Sequence, residues 1–331
     1  MIIVAIPLLI ASLMFLSIAF LATYLIMPWL IAVLRKANIT ASDVHKQPVL
    51  EIPRMGGIGI FVGFAASMTF SAMLGLDYRL LFAIFLSGTL ALVAGLIDDL
   101  FTLGKIPLII VTFLVSVPIV TFHAGSSLVF LTPIGPADLG WFFWILVPFA
   151  YAFSMNGVNV YAGFNGLEAA LGAVSSLSLA ICAMFYGSWE SAVSLFALCG
   201  ALLSFLGWNW YPAKVFMGNS GTLLIGAVLA SSIIAGSVKV AGAIVFIPYI
   251  INFALRACDR FKSTVADVRK FPNGNLGSSK LTALWAAFMY KSPTKEPTIV
   301  GRCVLLQIIF GIIAIFFAYY HVNFIIPRLE S

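Results

Sequence analysis

Long apolar segments alternate with short polar ones along all 331 residues. The apolar segments run approximately over residues 3–26, 56–75, 80–97, 106–122, 141–155, 167–186, 191–207, 221–237, 240–256 and 303–325. A helix of about 20 apolar residues crosses a bilayer core, and a backbone in hydrocarbon has to satisfy its own hydrogen bonds, so each segment reads as a helix. The pattern predicts an all-α polytopic membrane protein with about ten transmembrane helices, forming a single integral membrane domain over residues 1–331. The first run, Ile2 to Leu34, is broken only by Pro28, and no Lys or Arg precedes it. It is too long for a cleaved signal peptide and reads as a retained span. No internal repeat stands out, nor does an inverted pair of broken helices.

The charged residues orient this pattern. Of the 18 Lys and Arg, only Arg79, Lys239 and Arg328 fall outside the loops after helices one, three, five, seven and nine. Loops rich in Lys and Arg face the cytoplasm. The odd-numbered loops are therefore expected inside and both termini outside. The last of these loops, which follows helix nine at about 257–302, is the longest and most basic.

Composition agrees. The chain is 62% hydrophobic and 9% charged, with a mean hydropathy of +1.10, where a soluble domain carries about 25% charged residues. Four Cys and three His show no metal-ligand spacing, which argues against a zinc site or a disulfide framework. A net charge of +6 would suit nucleic acid, but the basic residues sit between spans. They point to membrane topology and small anionic ligands, with no nucleic-acid partner.

The polar chemistry converges on the inner face. Asp98-Asp99 ends the apolar run Leu80 to Ile97. A carboxylate deep in a membrane helix costs roughly 2.5–3.5 kcal/mol, so it is a functional candidate, although a pair can also simply mark where a helix leaves the membrane. The other inward loops carry His45-Lys46-Gln47-Pro48 and Pro53-Arg54-Met55-Gly56-Gly57, Asn156-Gly157-Val158-Asn159 with Gly163 to Glu168, and Asn209 to Thr222. Asn165-Gly166 and Gly218-Asn219-Ser220-Gly221-Thr222 stand directly before apolar helices. Amides at a helix N-terminus can bind phosphate, and glycine permits close approach; an ordinary helix cap explains either loop alone. Carboxylates, amides and nearby Lys/Arg suit a Mg²⁺-bound diphosphate, with the metal neutralising charge on phosphate oxygens.

On these motifs the chain resembles the polyprenyl-phosphate N-acetylhexosamine-1-phosphate transferase family. Pro53-Arg54-Met55-Gly56-Gly57, Leu96-Ile97-Asp98-Asp99, Asn156-Gly157-Val158-Asn159 with Gly163 to Ala169, and Asn209-Trp210-Tyr211-Pro212 through Gly221 follow the family's order and spacing. The form Ala162-Gly163-Phe164-Asn165-Gly166-Leu167-Glu168 is similar to the archaeal and eukaryotic branch, the UDP-GlcNAc–dolichyl-phosphate GlcNAc-1-phosphotransferases. The resemblance implies transfer of GlcNAc-1-phosphate from UDP-GlcNAc to a dolichyl-type phosphate, with release of UMP, as the first step of lipid-linked oligosaccharide assembly. It implies Mg²⁺ (or Mn²⁺ in its place) and a homodimer as one mode of assembly. It also implies a plasma-membrane location in an archaeon or an endoplasmic-reticulum location in a eukaryote, the lean 331 residues favouring the archaeon.

Carried over residue by residue, Asp98 and Asp99 become the catalytic pair. One would deprotonate or orient the lipid phosphate and the other would support the metal–phosphate network, without an assignment between them. Asn159 and Asn219 become metal positions. Gly163, Asn165 and Phe216 surround the uracil. Lys105, Arg256, Arg260, Lys262 and Arg269 are candidates for phosphate or sugar contact. The chain also departs from the family. Asn219 stands where the family has Asp, Thr102 where the eukaryotic branch has Asn, and no His lies between His123 and His321. Three other readings follow: transfer of another N-acetylhexosamine-1-phosphate for surface polysaccharide, an inactive relative that only binds, and an ion-coupled transporter built on Asp98-Asp99.

Overall fold

Every long apolar segment is helical in the computed structural model, which describes residues 2–46, 48–71, 75–131, 135–262 and 267–326. Gln47 and Arg328, used above, lie outside the described residues. The helices are α1 (Ile2–Lys36), α2 (Gly57–Ser71), α3 (Tyr78–Phe101), α4 (Lys105–Leu114), α5 (Val117–Thr121), α6 (Gly140–Tyr161), α7 (Leu167–Phe185), α8 (Trp189–Asn209), α9 (Gly218–Ala235), α10 (Lys239–Cys258), α11 (Leu284–Ala287) and α12 (Glu296–Tyr320), the last running into a π-helical turn, His321–Ile325. Among the described residues, seven helices are long and apolar enough to cross a membrane: α1 from Ser12 onward, α3, α6, α7, α8, α9 and α12. An eighth is α10 if its two halves, Lys239–Val245 and Ile247–Cys258, count as one span bent by 53°. Pro248 lies just past that bend, where the missing N–H and the ring disfavour a straight helix. Gly57–Ser71 and Lys105–Thr121 are shorter apolar helices.

The architecture is mostly helical rather than purely so. Among the described residues three two-stranded antiparallel hairpins accompany the helices: β1 (Thr40–Asp43) with β2 (Leu50–Pro53), β3 (Leu128–Leu131) with β4 (Gly135–Asp138), and β5 (Arg269–Lys270) with β6 (Leu276–Gly277). Hydropathy did not predict them, because such short strands are set by cross-strand pairing, not by burial of a run. The boundaries also moved. Asp98-Asp99 and Asn156 to Asn159 were expected in loops but lie in the last turns of α3 and α6. Those turns face protein at the helix ends, so polar side chains there are not in contact with lipid.

The middle of the bundle is α7, α8 and α9, whose spans are the most buried, while α1 and α12 are the least. Helix α9 packs on α3, α6 and α8. Glycine sets the closeness at its N-terminal end: a Cβ on Gly57 of α2 would lie 2.3 Å from Gly221 N, and one on Gly95 of α3 would lie 2.4 Å from Ser220 Cα. Small residues permit such backbone contact between membrane helices. The β1–β2 hairpin is then tied to the entrance of α9. Phe216 N–H donates to Pro53 O (2.8 Å), and the Gly56 and Gly57 N–H groups donate to Phe216 O and Met217 O (both 2.9 Å).

Candidate active site

The two aspartates at the end of α3 do different things. Asp99 accepts from two backbone amides of α9, Asn219 N–H on Oδ1 (2.9 Å) and Ser220 N–H on Oδ2 (3.0 Å). It therefore caps the N-terminus of α9 from another helix, where orphan amides and the helix dipole favour a negative charge. Arg54 Nη2 donates to the backbone carbonyl of Asp99. Asp98 takes one hydrogen bond, from Asn219 Nδ2 to Oδ2. Among the described residues its Oδ1 is buried without a partner. Both side chains are buried, at 7% and 3% exposure.

The network continues from α9 to α6. Thr222 Oγ1 donates to Asn159 Oδ1 (3.1 Å) and also lies 3.3 Å from Asn219 O. Asp98, Asn219, Thr222 and Asn159 thus form one connected set. Asn159, Asn219 and Thr222 face a cavity of about 550 Å³, whose wall also includes Asp43 to His45, Gly163 to Asn165, Glu168, Asn209, Phe216 and Arg256.

The wall of that cavity is held by buried polar contacts. Asn165 N–H donates to Glu296 Oε1 (2.8 Å) and Asn165 Nδ2 to Asp43 Oδ2 (3.1 Å). Gly163 N–H donates to Glu168 Oε1 (2.8 Å), and Gly166 N–H donates to Asn209 Oδ1 (3.1 Å). Asn209 Nδ2 in turn donates to Val215 O (2.8 Å), so Asn209 ties the loop before α7 to the loop before α9. Lys46 Nζ pairs with Glu296 (2.8 Å) and Asp43 (3.4 Å) and stands 3.9 Å from the centroid of the Tyr211 ring. The His45 ring stacks on Phe164 at 4.8 Å, and Trp285 meets Phe164 edge-on at 5.1 Å.

These bonds change one expectation. The glycine-rich loops stood open between phosphate cradles and ordinary helix caps. The Gly163, Asn165, Gly166, Asn219 and Ser220 N–H groups are instead engaged by Glu168, Glu296, Asn209 and Asp99. The glycines serve close packing and turning: Gly166 has φ +84° at the N-cap of α7, and Gly218 has φ +75° at the start of α9.

Of the residues singled out from sequence, Asn159, Gly163, Asn165, Phe216, Asn219 and Arg256 meet at the cavity, and Asp98 and Asp99 stand behind Asn219. Lys262 and Arg269 line a separate polar cavity of about 440 Å³ with Asp259, Asp267, Ser278 and Trp285. Lys105 opens α4, with Nζ 5.8 Å from the Phe261 ring centroid. Arg260 follows α10 with φ +53° and lines neither cavity. Sequence reasoning missed Asp43 and Glu296 as members of the site, and it placed Lys46, Asn209 and Thr222 in the converging polar loops without giving them a role there. The available signal was their chemistry, since Asp43 and Glu296 are two of only 12 acidic residues in the chain.

A divalent cation is implied by the resemblance. Among the described residues no group of three or more His, Cys, Asp and Glu gathers as a metal cluster. Mg²⁺ does not need one, because it commonly takes one or two protein oxygens and completes its shell with water and substrate phosphates. The unpartnered Asp98 Oδ1 and the amide oxygens of Asn159 and Asn219 are hard donors of that kind, and a buried acceptor without a donor is costly unless something fills it. The donor set fits.

Residues 81–237 match glycosyl transferase family 4. A protein of Saccharolobus solfataricus with the provisional name UDP-N-acetylglucosamine–dolichyl-phosphate N-acetylglucosaminephosphotransferase is 34% identical over 250 residues, 74% of this chain and 77% of that one. A protein of Sulfolobus acidocaldarius with the same provisional name is 31% identical over 310 residues, 91% of this chain and 94% of that one. The decaprenyl-phosphate N-acetylglucosaminephosphotransferase of Mycolicibacterium smegmatis is 33% identical over 219 residues, 60% of this chain and 52% of that one.

Proposed function

The chain belongs to glycosyl transferase family 4, and from that membership we propose that it transfers GlcNAc-1-phosphate from UDP-GlcNAc to a dolichyl-type polyprenyl phosphate in the membrane, releasing UMP. The observation that carries the reading is the joined set Asp98–Asn219–Thr222–Asn159 bordering a cavity that Gly163, Asn165 and Phe216 also line. Two archaeal relatives whose names carry this activity cover most of the chain.

In the proposed reaction a lipid-phosphate oxygen attacks the β-phosphorus of the nucleotide sugar, and the bond to the UMP oxygen breaks. The uridine lies along Gly163, Asn165 and Phe216. Asp98, whose Oδ1 is uncommitted, takes the proton of the lipid phosphate or holds the metal. Asp99 positions α9 and keeps Asn219 and Thr222 in place. Arg256, on the cavity wall, balances diphosphate charge. Mg²⁺, when bound through Asp98, Asn159 and Asn219, would neutralise charge on the phosphate oxygens. The basic loop of about 257–302 contributes Lys262 and Arg269 to sugar contact. In the membrane, the ten apolar segments are ten spans with both termini outside, so the site faces the cytoplasm, where nucleotide sugars are; the host membrane is an archaeal plasma membrane.

The test is UMP release by purified protein with Mg²⁺, run across a panel of UDP-sugars against phytyl, dolichyl and undecaprenyl phosphates. Release that needs UDP-GlcNAc, a polyprenyl phosphate and Mg²⁺ together is the expected result. Binding of UDP-GlcNAc without turnover on any acceptor would overturn the assignment in favour of an inactive relative.

A further inference from the structure

Asn165 lines the cavity, and its amide is oriented by a neighbour on the same wall, Asp43. A carboxylate only accepts hydrogen bonds, whereas a carboxamide has one donating and one accepting end. Asp43 is 4% exposed. Its Oδ1 accepts His45 N–H (3.3 Å), and its Oδ2 accepts Asn165 Nδ2 (3.1 Å). Lys46 stands 3.4 Å from the same Oδ2 and 2.8 Å from Glu296, and Glu296 holds Asn165 N–H. Turning the Asn165 amide over would set Oδ1 against Asp43 Oδ2, two oxygens without a proton between them. The amide therefore has one orientation, with Nδ2 toward Asp43 and Oδ1 left over. Among the described residues Asn165 Oδ1 receives no hydrogen bond, and the residue lies on the cavity wall with Gly163 and Phe216.

We propose that Asp43 is a positioning residue for nucleobase selection: by holding Asn165 Nδ2, it presents Asn165 Oδ1 to the cavity as an acceptor. An acceptor there selects a base edge bearing an N–H, as uracil does at N3, against cytosine, whose N3 is a lone pair. This deepens the uridine-nucleotide reading above and rests on it. Lys46 and Glu296 serve the same end by holding Asp43 and the Asn165 backbone in register, although they belong to opposite ends of the chain.

The test is calorimetric binding of UMP and of CMP, with Mg²⁺, to the whole chain and to Asp43→Asn, Asn165→Ala and the double variant. The unaltered chain is expected to bind UMP at least about tenfold more tightly than CMP, the factor that one hydrogen bond carries. Asn at position 43 pairs equally with either face of the Asn165 amide, so Asp43→Asn is expected to narrow the preference to about threefold or less, as is Asn165→Ala. In the Asn165→Ala background, Asp43→Asn is expected to leave the ratio where it was, because Asp43 acts through Asn165. An equal narrowing in that background would overturn the proposal. If Asp43→Asn does not fold, Asn165→Ala decides by itself, since a preserved UMP preference there overturns the proposal as well. Binding of UMP with a ratio that no variant moves overturns this inference alone; failure of the unaltered chain to bind either nucleotide overturns the uridine-nucleotide reading with it.

Discussion

Gly218 lies so close to Asp99 that a Cβ on it would sit 2.5 Å from Asp99 Oδ2. Its φ of +75° is a backbone conformation that side chains rarely adopt. Together these let the carboxylate reach the amides of residues 219 and 220. Gly218→Ala is expected to displace Asp99 from the helix end and to add about 1–2 kcal/mol of backbone strain. A lower thermal midpoint and UMP release reduced at least tenfold should be seen, and normal turnover at an unchanged midpoint would count against the contact.

The paired aspartates should separate by assay. Asp99→Asn turns an NH₂ toward a backbone N–H and leaves a buried donor unmet, a loss of about 1–3 kcal/mol. It should lower both the melting temperature and the rate. Asp98→Asn keeps an acceptor for Asn219 Nδ2 and exchanges one unpartnered buried atom, the Oδ1 oxygen, for another, an NH₂, so the fold should melt close to the unaltered protein while UMP release disappears. The same melting loss in both variants would deny the division of roles.

Asn219→Asp places a second carboxylate beside Asp98. Without metal the two repel, and with Mg²⁺ they share a counter-ion. The variant should be less stable than the unaltered chain in chelator and recover in Mg²⁺, and the Mg²⁺ concentration giving half-maximal rate should fall roughly tenfold, as added ligand charge tightens a hard-oxygen site. Thermal shift and rate across a Mg²⁺ titration read both. An unchanged Mg²⁺ dependence would argue that residue 219 does not contact metal.

Lys46→Met should be among the most destabilising changes to the β1–β2 hairpin. Lys46 neutralises both Asp43 and Glu296, and each of those is about 4% exposed. Removing one partner from a buried ionic group costs about 3–5 kcal/mol because the remaining charges stay buried. Thermal unfolding of the purified protein is the measure, with Glu296→Gln as the milder comparison. A midpoint matching the unaltered chain would mean that water reaches the cluster.

Legibility differed from element to element. Asp98-Asp99 was visible as a pair in a greasy setting, and its chemistry was readable at once. Its placement was not: the local polarity suggested a loop, whereas α3 continues to Phe101. Asn159 was likewise placed in a loop and proves to be on α6. In each case the helix runs on because its polar end faces protein, a fact absent from the residue's own neighbourhood. The β1–β2 hairpin left no clear trace, since four-residue strands bury too little to impose a pattern.

The sequence by itself determined the membrane helices and the order of the motifs. Both follow from local chemistry: an apolar run in hydrocarbon has to close its own backbone hydrogen bonds, so hydropathy alone makes it helical. The charge asymmetry of the loops is local in the same sense. Only the tertiary structure decided which aspartate caps α9 and which keeps an open oxygen, because the Asp99 bond to Asn219 spans 120 residues. It alone brought Lys46 to Glu296 across 250 residues and set Asp43 behind Asn165. Those pairings depend on how closely glycine lets α2 and α3 approach α9, and on which buried charges the packed helix ends then oblige to meet.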